Sequence, residues 1–225
     1  MSEELAALLA RKDARIQRLQ KRMTRMSRIE RAQGFLDGII ATLRPGMLAV
    51  DCGANVGDVT RRIAASGADV VAFEPDPWTF AELQRRTADL DNVTCINAAV
   101  GDSDDEVTIF RTADFDGDPE KNSLSSTVTP GKKYVSEAVA DTRVRQIDLA
   151  EWIEARGGVA FVKMDIEGGE VAVLERLFAR GTIDKIGAMV VETHPQRFPA
   201  MKDRYAALDE KCAAIPARRI NLDWV

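Results

Sequence analysis

The sequence predicts an open α/β fold, a mostly parallel sheet with helices on both faces, preceded by a helix that lies outside it. Three observations carry this. From Met47 onward short apolar runs alternate with amphipathic helical stretches. The apolar runs are nearly continuous rather than alternating, as in strands buried on both faces. Acidic residues gather where these runs end, at Asp51, Glu74, Asp165 and Glu192, and ligands of such sheets bind outside the carboxyl ends of the strands. With 225 residues, of which 45% are hydrophobic, there is material for one such domain and an appendage.

Taken in order, residues 3–43 contain no proline, and the first glycine is Gly34. Leu9, Ile16, Leu19, Met23 and Met26 then form a short a/d seam. After Ile29 the pattern changes, and Phe35, Leu36, Ile39, Ile40 and Leu43 suit a helix packed on the following domain, ended by "RPG" at 44–46. The division expected is therefore a basic helix or coiled coil over 1–30 and a globular domain over 31–225. "MLAVDCGA" is the first strand, and "VGDVTRRIAAS" places Val56, Val59 and Ile63 on one helical face. "ADVVAFEPD" is the second strand, followed by "PWTFAELQRRTADL" with Pro77 suited to a first helical turn. "NVTCINAAV" reads as one third strand. Residues 101–143 interrupt the alternation with a strand-like "VTIFRT" and a long polar stretch, a plausible cover for a site on the sheet rim. Its "DFDGD" resembles a calcium loop, but the glycine comes too early for an EF-hand. Then follow the helix "DLAEWIEARG", the strand "VAFVKMDIEG", the helix "EVAVLERLFARG", the strand "IGAMVVETH" and the helix "MKDRYAALDEKCAAI", which leads to "RRINLDWV".

Charge is uneven. Residues 11–31 hold nine Lys/Arg against Asp13 and Glu30, a balance of +7, so the remainder of a chain at −5 carries −12. An acidic globular part speaks against nucleic-acid binding across its body. The basic stripe is polar on most of its circumference and is not stable alone. Pairing with a second copy into a homo-oligomer would bury the seam; contact with an anionic membrane surface or polyanion is the alternative. No run is long enough to span a membrane, and the opening "SEELAALLARKD" is not a signal peptide. Cys52, Cys95 and Cys212 form no CxxC pair and read as reduced thiols, so the expected location is cytoplasmic.

The turn after the first strand, "VDCGANVGDVT", places Gly53, Asn55 and Gly57 where a backbone turns tightly and a ligand can approach it. Asn55 is among the few other residues that tolerate positive φ. A dinucleotide fingerprint G-x-G-x-x-G fails here, with Asn55 and Asp58 at its second and third glycines. Glu74 stands where a carboxylate accepts hydrogen bonds from a ribose diol. Asp51 points an anion at the same crevice, unwelcome beside a pyrophosphate but welcome beside an amine or sulfonium. This favours S-adenosylmethionine over NAD.

"VDCGANVGDVT", "FEPDP", "INAAVGD", "IDLAEWI", "FVKMDIEGGE" and "VVETHP", in this order and spacing, resemble the FkbM family of S-adenosylmethionine-dependent methyltransferases. The resemblance covers about Met47 to Pro195. It implies a class I methyltransferase (Rossmann-like) sheet, with Asp51, Gly53, Asn55 and Gly57 around the methionine portion of S-adenosyl-L-methionine and Glu74 at the ribose. It also implies O-methylation of a small-molecule or glycan hydroxyl, of sugar or polyketide type. Many methyltransferases carry an acidic residue near adenine after the third strand; here the stretch is Asn97-Ala98-Ala99, leaving Asn97, backbone or Asp102 for that contact.

Transfer to an alcohol needs an aligned acceptor and a destination for its proton. His194, the one histidine, follows a strand end, and strand alternation sets it on the same side as Glu192. A neighbouring Glu raises imidazole basicity, which makes His194 a general-base candidate. Lys163 and Asp165 share a side too, and can pair and orient an acceptor or the methionine end of the cofactor. Glu167 and Glu170 read as favouring the next helix start. Asp165 and Glu192, ending neighbouring strands, could instead hold Mg²⁺. Two rival classes stay open: a non-catalytic coiled-coil scaffold that keeps a ligand-binding fold, and a dinucleotide-dependent oxidoreductase.

Overall fold

The computed structural model describes residues 3–110, 127–129, 142–216 and 219–224. The "DFDGD" stretch and most of the polar interruption lie outside the described residues. Six strands form the main sheet: β1 (Leu48–Cys52), β2 (Asp69–Phe73), β3 (Val93–Ile96), β7 (Val159–Met164), β8 (Ile186–Glu192) and β9 (Ile220–Trp224). Their order is β3-β2-β1-β7-β8-β9, and every neighbouring pair is parallel. The first three strands step outward from β1 in one direction and the last three in the other. The sheet reverses between β1 and β7, and a crevice opens outside their carboxyl ends.

The apolar runs are continuous because both faces are covered. Val50, Val162, Met189 and Val191 pack on one side, with Leu149, Ile153, Leu174 and Leu177 from α4 (Leu149–Glu154) and α5 (Glu170–Arg180). Their neighbours Ala49, Phe161, Ala188 and Val190 turn to the other side, under Leu36 of α1 (Glu3–Ile40) and Ile63 of α2 (Asp58–Ala64). At roughly 1.5–3 kcal/mol per buried large aliphatic or Phe side chain, this two-sided core is the main term holding the sheet. α3 (Pro77–Thr87) covers the β2–β3 edge; Asp76 caps it, accepting from the main-chain N–H of Trp78 (2.9 Å) and Thr79 (3.1 Å) just ahead of Pro77. α6 (Lys202–Ala213) completes the α4–α5 side through Tyr205 and Leu208.

The run read as one third strand is two. β3 ends at Ile96, and β4 (Ala99–Gly101) leaves to join β5 (Asp105–Ile109) and β6 (Thr142–Asp148) in a separate three-stranded sheet. The break falls at Asn97, whose side-chain nitrogen donates to the carbonyls of Glu74 (2.8 Å) and Pro75 (2.9 Å). That clamp ties the end of β3 to the turn after β2 and redirects the chain.

The front helix runs without a break from Glu3 to Ile40. Ala32 and Leu36 are buried against the sheet, and Arg28 and Arg31 both reach Asp223 of β9. Leu9, Ile16, Leu19, Met23 and Met26 remain exposed. No helix among the described residues is long and apolar enough to cross a membrane. The three cysteines are free.

Candidate active site

Each group at the crevice is placed by the end of a strand. The turn after β1 is held to β2 by two hydrogen bonds, from the N–H groups of Gly53 and Ala54 to the Phe73 carbonyl. Gly53 has φ +73, and a Cβ there would lie 1.8 Å from the Asp165 carbonyl oxygen. Glycine is required because the turns after β1 and β7 run against each other. Asn55 also adopts positive φ, and its N–H donates to Glu74 Oε2 at 2.9 Å. Glu74 Oε1 accepts from the N–H of Asp76, also at 2.9 Å. Each oxygen keeps a second acceptor position. Burial pushes the Glu74 carboxyl up to about 7, against the stabilising pull of those two N–H donors.

These groups line a cleft of about 690 Å³, counted to its open mouth. Gly53, Asn55 and Glu74 form one wall; Ala98, Ala99, Val100, Ile109 and Val128 give an apolar floor; Asp165 and Glu167 stand at another side. Thr127, returning from the polar interruption, also lines it and donates its hydroxyl to the Glu167 carbonyl at 2.6 Å.

Some residues expected at the ligand lie beside or beneath the cleft, outside its lining. Asp51 is fully buried and does not line the cleft; it accepts from the Thr60 hydroxyl (2.7 Å) and pairs with Lys163 at 3.3 Å. Gly57, with φ +95, begins α2, and a Cβ there would press on Leu83 at 2.8 Å, so it serves the packing of α2 on α3. Asn97 is the clamp described above and lies outside the cleft lining. Lys163 is buried, donates to the Gly53 carbonyl at 2.6 Å and sits between Asp51 and Asp165, the latter at 3.9 Å. Burial opposes its charge, but the two carboxylates outweigh that and hold the ammonium above its usual pKa.

Asp165, Glu192 and His194 do converge. His194 Nε2 lies 3.3 Å from Glu192 Oε1, 3.4 Å from Glu167 Oε2 and 4.0 Å from Asp165 Oδ1. Its Nδ1 lies 3.1 Å from Glu170 Oε1, which also accepts the main-chain N–H of His194 (3.0 Å) and the Tyr205 hydroxyl (2.8 Å). Burial alone would lower the imidazole pKa; Glu170, Glu192 and Glu167 overcome it and carry it up to about 10. Those carboxylates favour the imidazolium, the form of His194 without a free lone pair. His194 also lines a different groove, between Glu192 and the α1 residues Lys21, Arg25 and Arg28. Burial drives the Asp165 carboxyl up to about 7, with Lys163 opposing and Glu192 adding to the rise.

Glu167 and Glu170 are more than helix-start residues. Glu167 has φ +51, and its carboxylate turns in towards His194 while bonding Arg197. Glu170 is fully buried at the head of α5. A charge that a chain buries completely needs several hydrogen bonds, and "GGE" opening an apolar helix was the sequence signal for it. Tyr205 gave no such signal.

A family model described as the methyltransferase FkbM domain matches residues 51–213. The chain belongs to the FkbM methyltransferase family. The matched range holds the cleft lining from Gly53 to Glu167 and the His194 cluster; helix α1 precedes it. The 2-O-methyltransferase NoeI of Sinorhizobium fredii (strain NBRC 101917 / NGR234) is 25% identical over 142 residues, 58% of this chain and 57% of that relative. This chain thus spans just over half the length of that curated relative. Among solved structures, an rRNA methylase from Streptococcus thermophilus matches with a TM-score of 0.43 and 10% identity, over 80% of this chain and 77% of that one. A precorrin-6y C5,15-methyltransferase from Geobacter metallireducens GS-15 matches at 0.41 and 10%, over 80% and 71%.

Proposed function

We propose that this FkbM-family chain is an S-adenosylmethionine-dependent O-methyltransferase acting on a hydroxyl of a small molecule or glycan. The observation that carries this is the cleft at the β1/β7 reversal, with the Glu74 carboxylate on one wall and the Asp165 and Glu167 carboxylates at another. When bound, the cofactor supplies a methyl on a sulfonium, and the S–C bonding electrons return to sulfur as the O–C bond forms.

The chain's own groups fit that task. The Gly53 turn lines the cleft, and the free acceptor positions of Glu74 suit a ribose diol. The apolar floor from Ala98 to Val100, with Ile109 and Val128, suits a flat base. Lys163 is a positioning residue: it ties the Gly53 carbonyl to Asp51 and faces Asp165. Asp165, which lines the cleft, takes the acceptor's proton; its carboxylate is 28% exposed, whereas the His194 ring is 2% exposed. His194 holds Glu192 and Glu167 in place as their counter-charge. The 2-O-methyl transfer in the name of the NoeI relative supports a hydroxyl acceptor.

The test is calorimetric titration of the purified chain with S-adenosylhomocysteine, then a screen of hydroxylated glycans and small molecules with methyl-labelled cofactor. Binding of the thioether product and label on oxygen are expected. Binding of NADH with none of S-adenosylhomocysteine would overturn the reading.

A further inference from the structure

The His194 ring is oriented in the manner of a metal ligand. Glu170 is fully buried and accepts from Nδ1, from the His194 N–H and from Tyr205 on one oxygen, and from the Gly168 N–H at 2.6 Å on the other. This makes Nδ1 the proton-bearing nitrogen and fixes the ring plane. A carboxylate behind an imidazole is the usual device that sets tautomer and direction for a metal-binding histidine.

Nε2 then faces a spot ringed by carboxylate oxygens. It is buried and makes no hydrogen bond there. One donor atom each from Asp165, Glu167 and His194 lies within 4.8 Å of the others. Ligands about 2.0–2.2 Å from one ion stand about 3–3.6 Å apart around a tetrahedral or octahedral centre; Glu167 Oε2 is already 3.4 Å from Nε2, and Asp165 Oδ1, at 4.0 Å, would close in as an ion enters. A neutral Nε2 would aim a lone pair at oxyanions. Only a proton or a metal ion at this spot relieves that.

We propose that Asp165, Glu167 and His194 form a site for a divalent first-row cation at the edge of the cleft, where Asp165 and Glu167 line it and the His194 ring faces them, with Glu170 as the orienting partner behind the imidazole. Two carboxylates and one imidazole suit Mn²⁺ or a similar ion better than they suit the all-oxygen preference of Mg²⁺. Glu192, 3.3 Å from Nε2, flanks the site, and Arg197 shares the Glu167 carboxylate from the solvent side. The role of the ion rests on the O-methyltransferase reading: it would hold the acceptor hydroxyl and make it more acidic, with Asp165 Oδ1 towards the ion and Oδ2 on the Lys163 side left for the proton.

The experiment is a titration of the chelator-stripped full chain with Mn²⁺, followed by the paramagnetic resonance of the free ion and by calorimetry in two buffers of different ionisation enthalpy. One ion per chain is expected, with release of about one proton as Nε2 exchanges its proton for metal. Asp165→Asn and Glu167→Gln should each weaken binding more than about tenfold, and Glu170→Gln, which touches no ion, by about 10–100-fold. Glu167→Gln leaves the buried Glu170–His194–Tyr205 network intact and serves as the variant least prone to unfold. Retained S-adenosylhomocysteine binding marks each variant as folded. No Mn²⁺ bound at on the order of 1 mM, or binding indifferent to Asp165→Asn and Glu167→Gln, overturns the site. Loss of the cofactor reading would show instead as failure of the wild-type chain to bind S-adenosylhomocysteine, whatever the ion does.

Discussion

Replacing Glu74 by alanine removes the carboxylate proposed to meet the cofactor's ribose and leaves that of Asp76 in the same lining. Each Glu74 oxygen holds a main-chain N–H, of Asn55 and of Asp76, at 2.9 Å, and each can accept one hydroxyl of a ribose diol besides. Losing charged hydrogen bonds of that kind costs about 1–3 kcal/mol, or about 5- to 150-fold in affinity for S-adenosylhomocysteine. The pH response is a sharper test. The Glu74 pKa is raised from 4.5 to about 7, chiefly by burial, so in the cofactor-free chain the ionised form is the disfavoured one. Its sign for folding follows: the group favours the folded state most when protonated, and that advantage fades as pH rises towards about 7. For binding the sign is opposite, because a diol donates to the ionised carboxylate. Affinity should be full above about 7 and should fall below it, by about tenfold one pH unit down. Calorimetry of wild type and Glu74→Ala on both sides of that pH measures this. The variant should bind weakly and lose that pH response. Wild-type affinity in Glu74→Ala, or a flat wild-type profile, would refute the placement of the ribose.

Gly53→Ala should destabilise the chain, since its Cβ would lie 1.8 Å from the Asp165 carbonyl oxygen at φ +73; the left-handed backbone alone costs about 1–2 kcal/mol, and a melting temperature within error of wild type would contradict the close approach. The exposed seam of Leu9, Ile16, Leu19, Met23 and Met26 is proposed to pair two copies. Light scattering should then give a full-length mass of two or more chains and a single-chain mass for a protein starting at Ser27; equal states in both would remove the seam as an oligomerisation device.

The sheet was legible because its physics is local. A strand buried on both faces must be apolar throughout, and only helices can cover a parallel sheet, so the alternation from Met47 to Trp224 already implied the layers. The strand β6 (Thr142–Asp148) went unread, and the split third strand is the more instructive case. "NVTCINAAV" has the composition of a single strand, and what splits it is the bonding of Asn97 to carbonyls of Glu74 and Pro75, more than twenty residues upstream. An asparagine within an apolar run carries no sign of which carbonyls it will meet.

The site was legible in composition and illegible in direction. Strand alternation set Glu192 and His194 on one side, and both do meet, but β8 ends at Glu192, so the rule had no hold on His194. A turn aims that ring, and its aim depends on Glu170 and Tyr205, reached through the packing of α5 and α6. Its place at a strand end likewise sent Asp51 to the crevice, whereas the register Asp51 opposite Lys163 locks the two together beneath it. In both cases the residue types named the chemistry, carboxylates and one imidazole at the carboxyl ends of β1, β7 and β8. What pairs with what was decided by contacts across elements. Glu170 shows the consequence most plainly. At a helix start its charge already has a bland use, yet the chain buries it completely and lets it accept four hydrogen bonds. One of those bonds is to the ring and another to the main-chain N–H of the same residue, so this carboxylate orients His194 while tying it to Tyr205 and to the turn at Gly168.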